Sequence, residues 1–466
     1  MWKGRFKEAT AEVVQRFTQS LDLDWPMAED DIRGSMAHVR MLVKVGLLTE
    51  EEGAKLLEGL EQVCQEVLSG ALEPSVELED VHMNVESRLI EILGSLGAKL
   101  HMGRSRNDQA STTVRLYLRR QMGEMGLALS ELMSVLLHNA ERHLQVVVPG
   151  YTHLQQAQPV SMGHYWMSHF AAFHRDARRL LFALDSLDES PLGSGALAGS
   201  TLPLDRRVSA EVLGFSTISP NSMDTVGHRD YQADYHHFAS LFMIHCSRLA
   251  EDLIIYNSQE FKWIVLPDAF CTGSSMMPQK KNPDVLEIIR GKTGQVIGHS
   301  LDLLINLKGL PSTFNRDLQE DKRALLRSLG TLFGVLEILP PLLRTVEVNQ
   351  ERAKDAFAGG TILATDVAEY LVKAGVPFRE AHEKVGCTVG WCQEKNRDLD
   401  TLTLEEWQAL IPEVGEDLPS LLTPAKAVEA RNTEGGTGFD QVKKQIATGK
   451  ELVSRLREEM ELHLAK

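Results

Sequence analysis

Three short stretches of this 466-residue chain concentrate side chains able to do chemistry. The richest is Gly273-Ser274-Ser275-Met276-Met277-Pro278-Gln279-Lys280-Lys281-Asn282-Pro283-Asp284, which leads into an apolar helical pattern containing Glu287. Adjacent hydroxyls, two lysines, an asparagine and glycine-given backbone freedom suit a loop that surrounds a carboxylate or an oxyanion. The start of a helix just beyond adds favourable partial charge. The same composition also suits a plain polar connection with proline at a helix start. An acylated serine of the Ser-x-x-Lys type is disfavoured, because Met277 lies three after Ser274 and Pro278 three after Ser275.

The second stretch is His101-Met102-Gly103-Arg104-Ser105-Arg106-Asn107-Asp108-Gln109. Its arginines, hydroxyl and amide surround an expected helix N-cap, a place to hold an anionic or amide-bearing ligand, or simply to cap. The third, Pro149-Gly150-Tyr151-Thr152-His153-Leu154-Gln155-Gln156-Ala157-Gln158-Pro159, is expected to enter another helix. There His153 could serve as acid or base near neutral pH, the plainer reading being a surface histidine. The pairs His236-His237 and His164 with His169 lack zinc-site spacing with a carboxylate partner, so no metal is expected. Gly193-Ser194-Gly195-Ala196-Leu197-Ala198 fits a loose dinucleotide fingerprint, but Asp188-Glu189-Ser190-Pro191 before it is no buried strand. Gly291-Lys292-Thr293 resembles the end of a phosphate loop whose first glycine is replaced by Leu286. No cofactor is expected.

Long helices must carry these turns. From Thr112 to about Val147, Leu118, Met122, Met125, Leu129, Leu132 and Leu136 recur at spacings of four and three, with Met133, Leu137, Ala140 and Leu144 beside them. Similar patterns cover about 160–188, 229–259, 283–308 and 318–347, each bounded by Pro/Gly turn signals. The expectation is an all-α chain: an up-and-down bundle over 111–350, a smaller helical domain over 1–110 and another over 351–466. The wide apolar stripes suggest that several copies pack together.

Composition narrows the function classes. A formal charge of -16 makes a general nucleic-acid binder a poor reading. No run of 18 apolar residues occurs, and Met1-Trp2-Lys3-Gly4-Arg5-Phe6-Lys7-Glu8 lacks the apolar stretch of a signal peptide, so a cytoplasmic protein without a membrane partner is expected. The 5 scattered cysteines fit reduced thiols.

The loop Gly273-Ser274-Ser275-x-x-Pro278-x-Lys280-x-Asn282-Pro283 resembles the signature of the fumarase/aspartase superfamily. Its form with Gln279-Lys280-Lys281-Asn282-Pro283-Asp284, together with Gly103–Gln109 and Gly150–Pro159, resembles the argininosuccinate lyase/delta-crystallin family. The likeness continues through Glu79-Asp80-Val81-His82, Gly195–Ser200, Asn221–Asp224, Asp317–Lys322 and Gly435-Gly436-Thr437, and so spans nearly the whole chain. It implies a homotetramer whose central helices merge, with each active site shared by three subunits. It also implies release of fumarate from argininosuccinate by anti elimination, without metal or organic cofactor. Carried over residue by residue, Ser274 is the base, His153 the acid, and Glu287 the holder of the imidazole. Lys280 and Asn282 stabilise the aci-carboxylate dianion. Substrate contacts carried over are Ser20, Asn107, Thr152, Gln319 and Lys322, with Ser105, Arg106 and Arg229 as further anion binders and Asp24 facing the cationic end.

Two positions depart from the family pattern. Phe314 stands where a tyrosine is usual, and Gly227-His228-Arg229-Asp230 replaces the usual Ser-(Asp/Glu)-Arg-Asp. They leave open an elimination from another N-substituted aspartate. A crystallin-like structural role without activity is the third reading, disfavoured by the presence of Ser274, Lys280, Glu287 and His153.

Overall fold

The computed structural model describes residues 10–358 and 360–465; the octapeptide Met1–Glu8 read above lies outside them. The chain is 69% helical with only short two-stranded pairings, so the all-α expectation holds. The longest helix is Arg106–Arg142, 37 residues or about 55 Å at 1.5 Å per residue. It begins six residues before the expected Thr112 because a capping box sets its start. The Ser105 side chain accepts from the backbone near the helix start, and the Asp108 carboxylate accepts from the Ser105 N–H. Its expected stripe, Leu118, Met122, Met125, Leu129, Leu132 and Leu136, lies fully in the core.

Helices Met162–Ser186, Asp230–Asn257, Asp284–Leu307 and Asp321–Thr345 follow, each within three residues of its expected bounds. They pack side by side with the first into one elongated core. The segment Arg316–Thr345 has the length and apolarity of a membrane span, yet half of its most apolar window is buried inside the chain, as in a core helix.

The segment 147–161 differs from expectation. It forms a β-hairpin, Val147–Thr152 against Gln155–Ser161, rather than leading straight into a helix. The β-branched run Val146-Val147-Val148 with Pro149 ends the preceding helix and favours extended backbone. The pairing shifts by one residue around Gly150, where a Cβ would meet the Gln158 carbonyl at 2.9 Å. The two-residue turn is His153-Leu154, both with φ of 56°, the left-handed pattern of a type I′ turn without its usual glycine.

The N-terminal helices Ala28–Lys44, Glu50–Leu68 and Val81–Leu93 enclose their own small core. Helices between Ala364 and Ala430 enclose another. The final helix, Phe439–Ala465, leaves that second core. Its Val442, Ile446, Val453, Leu456 and Met460 complete the central one, against the helix Arg106–Arg142. Gly126 permits this approach, since a Cβ there would lie 2.1 Å from Met460 Sδ.

Candidate active site

A cavity of about 310 Å³ lies where the N-terminal helices meet the start of Arg106–Arg142 and the start of Asp321–Thr345. Eight of the expected substrate contacts line it: Ser20, Asp24, Arg106, Asn107, Arg229, Phe314, Gln319 and Lys322. They come from four separate parts of the chain. Asn107 and Arg106 stand on the first turn of the capped helix, so the capping box fixes their direction.

Buried ion pairs set the electrostatics. Lys322 Nζ is 3.3 Å from Asp24 Oδ1, and the Ser20 hydroxyl donates to the other Asp24 oxygen. Burial opposes the charge of Lys322, but Asp24 and Asp321 more than offset it and raise its pKa above the ordinary lysine value. Arg229 Nε is 2.5 Å from Asp321 Oδ2, which also accepts from Gln232 at 2.9 Å. Arg106 pairs with Glu86 at 2.8 Å. Asp24 therefore does not stand open for a cationic group alone: it is already shared between a lysine and a hydroxyl. A ligand carrying both an ammonium and a carboxylate can exchange with both halves of that pair.

The cavity also holds residues that the sequence did not assign to the site: Glu79, Asp80, His82 and Arg316. His82 Nδ1 lies 2.7 Å from Asp31 Oδ1, and that carboxylate also accepts from Gln109 at 2.8 Å and Thr113 at 3.0 Å. Burial pulls the His82 pKa down and the Asp31 charge pushes it up, with a net rise; Asp31 is held well below the usual carboxylate range. Arg316 pairs with Glu79 and donates to the Thr18 carbonyl at 2.7 Å, as does Gln319 at 3.0 Å. Glu79-Asp80-Val81-His82 was visible as a motif, but only folding shows that Glu79, Asp80 and His82 line this cavity while Val81 joins the N-terminal core.

Ser105 does not line the cavity, because its hydroxyl is engaged in the cap, accepting from Asn107 N–H at 3.2 Å. The remaining residues lie elsewhere in the chain. Thr152 and His153 sit on the hairpin, and His153 lines a different cavity of about 580 Å³ with His164, His169, Arg175, His245 and Arg248. His153 holds a left-handed φ, a strained position for a residue with a Cβ.

The loop from Gly273 to Asn282 is closed at its base by pairing of Thr272–Gly273 with Lys281–Asn282. Lys281 anchors it through Asp268 at 2.6 Å, and Thr272 bonds Asp284. Within the loop, Ser274 Oγ accepts two backbone N–H groups, from Met276 at 3.2 Å and Met277 at 3.0 Å. Lys280 is exposed and, among the described residues, makes no side-chain hydrogen bond or ion pair. Glu287 faces outward with Arg290 at 3.9 Å, and within one chain it makes no contact with the His153 ring. A single chain thus presents three separate parts: a cavity of paired charges, a hairpin tip and a loop rich in polar side chains.

This fold, a long-helix bundle with a serine-lysine loop at a helix start, defines a lyase of the fumarase/aspartase superfamily. The family described as "Lyase" matches residues 4–298, and "Argininosuccinate lyase C-terminal" matches residues 361–429. The chain is 46% identical to the argininosuccinate lyase of Desulforamulus reducens, over 98% of this chain and 100% of that one. It is 46% identical to the argininosuccinate lyase of Moorella thermoacetica, over 98% of each. Among solved structures, EDDS lyase in complex with formate superposes with a TM-score of 0.82 at 28% identity, over 99% of this chain and 93% of that chain. Class II fumarase from Schistosoma mansoni shares the fold, with a TM-score of 0.75 at 16% identity over 89% of this chain and 92% of that chain. The chain belongs to the argininosuccinate lyase family.

Proposed function

We propose that this enzyme cleaves argininosuccinate reversibly into fumarate and L-arginine, as a cytoplasmic homotetramer in arginine biosynthesis. The observation that carries the reading is the cavity around Asp24 and Lys322. Its paired opposite charges suit the ammonium and carboxylate of an amino-acid end, in a chain matched over its full length by argininosuccinate lyases.

In the elimination, Ser274 takes a proton from the carbon next to a succinyl carboxylate. The electron pair held as the aci-carboxylate forms the C=C bond as the C–N bond breaks. His153 gives a proton to the departing guanidino nitrogen. Two backbone N–H groups on Ser274 Oγ favour its ionised form, which an ordinary serine would not reach. Lys280 and Asn282 supply charge and a donor for the dianion. Thr152, Arg106 and Asn107 complete the substrate contacts. Glu287 of a neighbouring copy orients the His153 imidazole.

The separation of these groups within one chain supports a site built from three copies. So does the helix Asp284–Leu307, which exposes Ile288 (57%), Ile297 (42%), Leu301 (57%), Leu304 (50%) and Ile305 (56%). A band of large aliphatic side chains this open to water is a face for other helices.

A spectrophotometric assay for fumarate with argininosuccinate as substrate tests the reading. Wild-type protein is expected to turn over, while His153→Asn and Ser274→Ala lose about 10²–10⁴-fold in kcat. A second reading, elimination from another N-substituted aspartate, is favoured by Phe314 in the cavity wall and by the similarity to EDDS lyase. Fumarate from such a compound but none from argininosuccinate would establish it in place of the first.

A further inference from the structure

The glycine loop that imitates a dinucleotide fingerprint is tied to the first turn of the helix whose Arg106 and Asn107 line the candidate substrate cavity, and one carboxylate makes most of that tie. Asp108 is fully buried. Its Oδ2 accepts the N–H groups of Gly193 at 3.0 Å and Gly195 at 2.9 Å, while Oδ1 accepts that of Ser105 at 3.0 Å. The two glycines take φ of 87° and 64°, backbone that lets the N–H groups on either side of Ser194 reach one acceptor. The loop is closed on itself by Gly199 N–H to the Ser194 carbonyl at 2.9 Å. From its crest the Ala196 carbonyl accepts the Asn107 side-chain amide at 3.0 Å. That bond uses one N–H of Asn107 and leaves its second N–H and its carbonyl oxygen for a ligand.

The geometry points to Asp108 as a positioning residue: its ionised carboxylate holds the 193–199 loop, and the loop holds the Asn107 amide in the orientation that receives substrate. The inference rests on the argininosuccinate reading for its kinetic consequence and on the hydrogen bonds alone for its structural one. Protonation converts one carboxylate oxygen to a hydroxyl, which cannot accept from two N–H groups as before, so the loop and the amide lose their fixed register. Burial pushes the Asp108 carboxyl up to about 6, against the three amides and Arg104. The charged groups facing it are Arg104, just before the capped helix, and Arg206 from the helix Arg206–Val212. Arg206 is spent on the carbonyls of Ser190, Leu192 and Ser219. Because this carboxyl titrates above its unfolded value, the native state takes up its proton first on acidification. Loss of function through Asp108 is therefore separate from acid unfolding.

The test measures fumarate release from argininosuccinate between about pH 5 and pH 8, and deuterium uptake of the 193–199 segment by mass spectrometry. In wild type KM is expected to rise as pH falls through the Asp108 titration. Asp108→Asn should show a KM about tenfold higher at neutral pH, the worth of one hydrogen bond, with no further rise on acidification. In an Asn107→Ala background the same substitution should add nothing, which a merely structural role would not predict. Its loop amides should exchange faster at neutral pH. Should Asp108→Asn not fold, Gly195→Ala replaces it, since a Cβ there meets the Gly199 carbonyl at 2.8 Å with Asp108 intact; the same KM rise is expected. Unchanged KM, acid limb and loop exchange in the folded variant overturn the inference. If wild type makes no fumarate from argininosuccinate, the functional reading fails by itself, and the exchange measurement alone decides for or against Asp108.

Discussion

At the scale of single residues, the cavity is organised by charges that are already partnered. His82 and Asp31 form a buried pair whose two pKa shifts both favour the charged forms, the histidine up and the aspartate down. A histidine raised above its unfolded value contributes stability that is complete below that value and is lost as pH rises through the folded one. His82→Gln leaves Asp31 charged without its main partner, and a cost of about 3 kcal/mol is expected at pH 6. Denaturant melts should show the gap between wild type and variant narrowing toward pH 9. A gap independent of pH would mean that the pair is not ionic. The sequence made the types of these residues plain, but nothing in local spacing joins Asp31 to His82 or Asp24 to Lys322. Those partnerships span long stretches of chain and exist only after folding.

At the scale of elements, the two departures from the family pattern are one feature. Gly227 lies under the turn before Phe314, so close that a Cβ would stand 2.4 Å from the Thr313 carbonyl oxygen. Thr313 itself has a φ of 77°. The missing side chain at 227 lets that turn settle inward and carry Phe314 into the cavity wall, whereas His228 turns away and its Nδ1 accepts from Arg115 at 3.0 Å. Gly227→Ala should therefore cost about 1–3 kcal/mol by overpacking against backbone. It should also raise KM more than it lowers kcat, because it moves Phe314 and not the proposed proton-transfer groups. Equal stability and KM in steady-state assays and melts would refute the coupling. Helix bounds were legible within a few residues because periodicity is a local signal. The hairpin at 147–161 was not, because its polar turn carries neither of the glycines that usually announce a two-residue turn.

At the scale of the whole molecule, the exposed face of Asp284–Leu307 and the scattered candidate catalytic groups lead to one expectation. Leu301→Asp should yield a smaller species in sedimentation velocity and lose fumarate production, although His153 and Ser274 remain in place. Mixing inactive His153→Asn with inactive Ser274→Ala under conditions that exchange subunits should restore activity, since some sites would then take an intact hairpin and an intact loop from different copies. No recovery despite proven exchange would place both residues in the same copy.

The sequence by itself determined the helical class, the lengths of the central helices and the three polar turns, because each depends on neighbours within a few residues. Tertiary structure decided which turns meet. It drew eight candidate substrate contacts from four segments into one cavity, set His153 and Ser274 apart from it, and returned the last helix to the central core. These outcomes depend on which apolar faces bury one another across hundreds of residues, and hydrophobic burial is non-directional, so no local pattern specifies the partner.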